Sequence, residues 1–323
     1  MIVVDVPDSR QSFHRFSADL ASINGVDEVH FDFGKVNFTT PGWMIAVSAA
    51  LRQFCEEHPE IRRKALNHKK LTYAAHAGFF RSFGLKFGNE VSAAHTSDRF
   101  IPISSLIVDE IKDAAIEQME HHGETVQRLS EDMVELLLQS RDVPAFQTLA
   151  YAIREMIRNV VEHSASNDLT YAAQYWPRTG EAEIAITDRG IGLAKSLSSS
   201  PKIGSVDDDQ ALDLAVRPGV SSKTWRKPSS RSVWANSGYG LYMVKGLCVA
   251  SAGSLLIASG SLARTWSKGG VATVATHLNG TTVILKLNSN NLEDINRELE
   301  KLRGEATGGK PSTASMFANP KGD

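Results

Sequence analysis

A chain of 323 residues with 42% hydrophobic content is long enough for two cores of ordinary size, and a formal net charge of −2 excludes a bulk electrostatic pull toward nucleic acid or anionic membrane. The two cysteines, Cys55 and Cys248, stand in neither a C-x-x-C nor a zinc-ligand spacing, which fits two buried thiols in a reducing cytoplasm. The N-terminus lacks a basic, apolar leader pattern and no window approaches a membrane-spanning apolar run, so a soluble cytoplasmic protein is expected.

In chain order, Ile2 to Val6 reads as a short strand, followed by a polar helix around Ser9 to Ile23, a strand from Glu28 to Phe33 and a helix from Pro41 to Glu57. Thr40 supplies an N-cap and Pro41 the first helical position, so the start of that helix is well marked. These elements predict an α/β domain over residues 1–103. Between Ser104 and Gln139, with a break at His121-His122-Gly123, two amphipathic segments predict a helical connector over residues 104–142. From Val143 a long helix, two strands and a glycine-rich region follow, and Leu255 to Ser259 with Thr281 to Leu287 add further strands to a second α/β domain over residues 143–290. A charged helix, Leu292 to Leu302, and a tail rich in Gly, Ser, Thr, Pro and Lys that is expected to be disordered complete residues 291–323.

The chemistry concentrates in the second domain. On the helix Thr148 to His163, the run E-M-I-R-N-V-V-E-H sets Glu155, Asn159 and His163 on one face, with Ala152, Met156 and Val160 on a neighbouring stripe that faces a core. An amide oxygen beside a carboxylate suits a hydrated divalent ion and an oriented water, though such triples also occur on solvated helix faces. After the strand E-I-A-I-T comes D-R-G-I-G-L, in which Asp188 ends a strand and Gly190 and Gly192 let the backbone turn and approach a ligand; read alone it is equally an Asp-Gly turn. N-S-G-Y-G-L-Y-M-V-K-G-L sets Gly238 and Gly240 before an apolar helical pattern, leaving free amides at a helix N-terminus suited to phosphate. G-T-T-V-I-L-K-L reads as a strand whose Thr281 reaches a base or its bound water.

In this order, from Gln147 to Asn288, the four segments resemble the Bergerat ATPase superfamily shared by gyrase, heat-shock chaperones, histidine kinases and mismatch-repair ATPases. E-x-x-x-N-x-x-x-H followed by D-x-G-x-G is most similar to the anti-sigma-factor serine kinases and their relatives. The resemblance implies a mixed sheet with helices on one face, and ATP with magnesium as cofactors. It implies Asn159 as magnesium ligand, Glu155 as the catalytic group polarising an attacking hydroxyl or water, and Asp188 as the reader of adenine. Gly190, Gly192, Gly238, Gly240 and Leu241 frame the nucleotide with Thr281, and His163 either contacts it or packs at the helix end.

Residues 194–237 are rich in Ser, Gly, Pro and charge, including Arg217, Lys223, Arg226, Lys227 and Arg231, and suit either a mobile lid or a solvated loop. Lys223 is the candidate phosphate contact. The stretch V-H-F-D-F-G-K-V-N-F-T-T-P-G-W resembles the central strand, loop and helix of STAS domains, the fold of anti-sigma-factor antagonists. Thr39 or Thr40 falls near the phosphorylatable position of that family, but Pro41-Gly42-Trp43 departs from its usual Ser-Ser-Gly, and a plain helix cap is the other role. The resemblance implies a regulatory protein: a serine/threonine kinase acting on a STAS-like or other regulatory partner, or an ATPase switch whose lid controls partner binding. Neither nucleic acid nor membrane is expected as a partner, and a homodimer is compatible with this reading.

Overall fold

A computed structural model of the chain describes residues 1–107, 122–143, 145–163, 166, 168–220 and 238–307. The N-terminal part alternates β1 (Ile2–Asp5), α1 (Phe16–Ala21), β2 (Glu28–Asp32), α2 (Pro41–Glu57) and β3 (Arg62–Leu66). The three strands pair in parallel in the order β1-β2-β3, and α1 and α2 are the crossovers that parallel neighbours require. The helical spacing from Ser9 shortens to a single 3-10 turn at Phe13–Arg15 ahead of α1. Two short helices, α3 (Thr72–His76) and α4 (Phe79–Ser82), then bring Phe79 and Phe80 against Phe33 and Trp43.

β4 (Phe100–Ile107) crosses residue 104, where the helical connector was expected to begin. Helices α5 (His122–Leu138) and α6 (Ala145–His163) precede β5 (Asp168–Trp176) and β6 (Glu181–Asp188). Then come α7 (Gly192–Ser198), α8 (Asp208–Ala215), α9 (Gly240–Ala250), β7 (Ser254–Ser267), β8 (Gly270–Asn288) and α10 (Leu292–Thr307). The strand order is β4-β5-β6-β8-β7.

This sheet corrects the expected mixed one: every pairing in it is antiparallel, because β5–β6 and β7–β8 are hairpins and β8 returns against β6. The expectation of helices on one face is corrected as well. Leu169, Tyr171, Ile184, Ile186, Ile257 and Leu285 join the core under α5, α6 and α9, whereas Ala172, Ala185, Ala258 and Ile284 join the N-terminal core around α2. The period of two along each strand divides these sets between the faces. The small residues on the second face admit α2 closely, and a Cβ on Gly42 would stand 2.8 Å from Ile284 Cγ2. That double covering explains why Trp43, Met44, Ile45, Val47 and Leu51 are all fully buried on one helix, each contributing about 1.5–3 kcal/mol.

At its N-terminus α2 meets a buried carboxylate. The Gly42 N–H donates to Glu183 Oε1 on β6, and Lys286 Nζ lies 2.9 Å from Glu183 Oε2. A helix N-terminus and an ammonium together balance a charge that burial would otherwise make costly. Of the two thiols expected to be buried, Cys248 is and Cys55 is partly exposed. Among the described residues no helix is long and apolar enough to cross a membrane.

Candidate functional site

Helix α6 presents Leu149, Ile153, Met156, Ile157 and Val160 to the sheet, and Glu155 is nonetheless only 6% exposed. Arg158 Nη1 lies 3.3 Å from its Oε1, and Arg154 donates to Gln127 at 2.8 Å while lying over the Tyr151 ring. Asn159 and His163 follow on α6, where their side chains lie outside the described residues. The first residue of α9, Gly240, abuts this helix: a Cβ there would be 3.4 Å from Glu155 Cβ and 3.5 Å from the Ala152 carbonyl. The glycine-flanked helix start and the glutamate-bearing helix are therefore in direct contact.

Asp188 ends β6 with its side chain on the same sheet face as α6 and α9, since Thr187 before it belongs to the α2 face. Its carboxylate accepts the Gly190 N–H at 2.7 Å. Burial pushes its pKa up to about 6 and the nearby Asp168 charge adds to this, against the backbone N–H groups of Gly190 and Thr281 that favour the ionised form. Gly192 opens α7 at φ +75°, a left-handed conformation that glycine adopts without strain. Ser259 ties the surrounding segments together: its Oγ accepts the Leu193 N–H at 2.9 Å and donates to the Gly280 carbonyl at 2.9 Å. Thr281 Oγ1 lies 3.4 Å from that same hydroxyl. Asp188, Gly190, Gly192 and Thr281, drawn from distant parts of the sequence, thus converge at one end of the sheet. A buried acceptor, flanked by hydroxyls and by backbone free of side chains, can hold a planar hydrogen-bond donor.

Gly238, at φ +71°, accepts the Gly219 N–H on its carbonyl at 3.1 Å, and a Cβ on it would be 2.7 Å from the Gly219 carbonyl carbon. Leu241 is half-buried against the core beneath α9. Lys223, Arg226, Lys227 and Arg231 lie outside the described residues. The preceding stretch is not a plain loop. It folds into α7 and α8, the latter opened by a capping box in which Asp207 accepts the Gln210 N–H and Gln210 accepts that of Asp207. Arg264 of β7, 7% exposed, fixes α8 through Asp209 and Asp213, each at 2.5 Å, and Asp208 accepts the N–H and hydroxyl of Ser261.

Sequence reading missed Ser259, Arg264 and Arg189. Arg189 sits inside D-R-G, where its only signal is a charge between two motif positions. Its guanidinium reaches Asp168 at 3.0 Å and, on α2, Glu56 at 2.9 Å. On the other flank, the Asn279 N–H donates to Gln53 Oε1 at 2.8 Å. Thr39 and Thr40, at the far end of α2, are both buried, and Thr40 Oγ1 accepts the Trp43 N–H at 3.3 Å as the helix cap. No family model matches the chain, and no curated protein matches it.

Proposed function

We propose that residues 143–290 are a Bergerat-type unit binding Mg-ATP, joined to a STAS-like unit over residues 1–103 in one regulatory protein. The observations that support this reading are a buried aspartate at the end of β6 with glycines around it, and, on the helices that pack on that sheet, a glycine-led helix start seated on the glutamate of α6. Gly240 begins α9, whose N-terminal amides suit a polyphosphate. In this reading Asp188 accepts the adenine amino group, Thr281 supports it, and Gly190, Gly192, Gly238, Gly240 and Leu241 frame the nucleotide. Asn159 holds magnesium, His163 and Lys223 add contacts, and Glu155 orients a hydroxyl or water. Bound ATP supplies the transferable phosphoryl group.

The activity proposed is serine/threonine phosphorylation of a partner protein. The burial of Thr39 and Thr40 and the capping role of Thr40 argue against the chain's own N-terminal unit as the acceptor. A second reading, an ATPase switch, is favoured by the contacts from Arg189 and Asn279 to α2, which connect the nucleotide site to the other unit. The deciding experiment is equilibrium binding of Mg-ATP followed by transfer of labelled γ-phosphate. Asp188→Ala should weaken ATP by about tenfold or more, because an unmatched adenine amino group costs roughly 1–3 kcal/mol. Undiminished binding by the folded variant would refute the site. Glu155→Ala should keep ATP affinity within a few-fold while abolishing phosphotransfer. A wild type that releases phosphate and forms no phosphoprotein with any co-purifying protein would select the switch.

A further inference from the structure

The sheet face covered by α2 is not closed along its whole length. Where β6 approaches Asp188, a cleft of about 540 Å³ opens between the sheet and the helices α2 and α4, in the size range of small-molecule sites and too small for a folded partner or a nucleic-acid strand.

The floor of the cleft is a row of hydroxyls. Register pairs Ser105 with Thr170 and Thr170 with Thr187, so three adjacent strands carry Ser, Thr and Thr side by side, facing the helix. A helix-covered sheet face ordinarily carries apolar side chains, as the neighbouring row of Ala172, Ala185 and Ile284 does here. Thr187 bonds Thr282 at 2.7 Å, whereas the hydroxyls of Ser105 and Thr170 bond no described residue. They are free to bond an occupant.

The rim is cationic. Arg52, Arg81 and Arg189 line the cleft with Glu56 and Asp168, so three guanidiniums face two carboxylates. Arg189 and Arg52 share Glu56 and Asp168, with the Arg52 contacts long at 3.3 and 3.6 Å, and Arg81 is paired at 3.1 Å with a largely exposed Glu90. Arg189 already donates from all three nitrogens to Asp168 and Glu56, whereas Arg52 and Arg81 each keep Nη2 without a partner among the described residues, a donor that suits a carboxylate or phosphate. We propose that this cleft binds a small hydroxylated organic anion of the sugar-acid or sugar-phosphate type, its charge at the arginine rim and its hydroxyls on the Ser105–Thr170–Thr187 row. Its floor is distinct from the proposed nucleotide site, because Thr187 and Asp188 alternate to opposite sides of the sheet, while its rim residues Glu56, Asp168 and Arg189 also line the pocket that reaches Asp188.

The test is calorimetric titration of the full-length protein with gluconate and with glucose 6-phosphate, using glucose and sodium chloride of equal ionic strength as controls. At least one anion should bind, glucose should bind about tenfold more weakly or not at all, and Arg81→Gln and Thr170→Val should each weaken the anion by about tenfold. Both variants alter partly exposed side chains, and their thermal transitions without probe should match wild type. Saturating Mg-ATP should leave the anion bound. Failure of both anions to bind wild type, equal binding of glucose, displacement by ATP, or unchanged affinity in both variants would each overturn the proposal.

Discussion

Asp188 is held in a state that its environment resists. Its folded-state pKa of about 6 stands above the ordinary carboxylate value of 3.8, so the folded protein binds the proton more tightly than the unfolded chain does. Stability from this group is therefore fully present below about pH 4 and is lost as pH rises through about 6. In the proposed reading, adenine recognition by the ionised carboxylate would run the other way. Adenosine, which has no phosphate to titrate, should bind more weakly as pH falls below about 6, and Asp188→Asn should weaken binding and flatten the profile. A wild-type adenosine affinity constant across that range would remove Asp188 from the site. His14 gives a second pH effect. Its Nδ1 is buried with no partner among the described residues, and burial, reinforced by the Lys286 charge, pushes its pKa down to about 4. The unfolded chain takes up this proton first, so stability should fall as pH drops from the ordinary histidine value of 6.5 toward 4. Because Asp188 acts in the opposite direction over the same range, the test is the difference between wild type and His14→Leu: the urea midpoint of the variant should gain on that of wild type as pH drops from 6.5 toward 4, and a difference that does not change with pH would show that His14 is not responsible.

At the scale of elements, the site depends on a close approach of backbone. Gly280, at φ +88°, lies directly against the Asp188 carbonyl, so Gly280→Ala should destabilise the fold by about 2 kcal/mol or more and weaken adenosine, as read from thermal unfolding and titration. An unchanged transition would mean that the β8 turn has room to move. Residues 194–220 are anchored through Arg264 and Asp208, so tryptic cleavage at Lys202 should not depend on nucleotide. Cleavage from Arg217 to Arg231 should be suppressed by a non-hydrolysable ATP analogue, and equal rates with and without it would argue against a lid there. Sequence legibility follows the same physics. The start of α2 was readable because Thr40-Pro41 is a local signal, and α6 because its apolar spacing is strong. β4 was not, since I-P-I-S-S-L-I lacks clean alternation and its strand identity comes from pairing with β5. α8 hid in a segment judged by composition, although Asp207 and Gln210 spell a capping box. The first half of β8 is largely exposed, where hairpin pairing with β7 rather than apolar pattern holds it. Asp188 and its glycines were visible as a motif, but Ser259 and Arg189 act only through neighbours that the fold supplies.

For the whole molecule, α2 is the element that both units share. Its N-terminal end is fixed by Glu183, and its C-terminal end touches the two segments that frame the candidate nucleotide site, through Glu56 to Arg189 and through Gln53 to Asn279. Arg189 is one residue from Asp188 and Asn279 is two from Thr281, so in the proposed reading ordering of either segment by a nucleotide would reach α2. Coupling of this kind is reciprocal, and whatever binds the N-terminal unit and shifts α2 must change nucleotide affinity by the factor that nucleotide imposes on it. The measurement is amide hydrogen exchange with and without Mg-ATP. Exchange should slow in residues 188–193 and 278–282 and also in the last two turns of α2. The pair Glu56→Gln and Gln53→Ala should abolish the response in α2 while weakening ATP only a few-fold, since neither side chain is assigned to the nucleotide. If ATP binds and slows exchange around Asp188 but leaves α2 unchanged in wild type, the N-terminal unit is a passive cover of the sheet; if ATP does not bind at all, the nucleotide reading itself fails.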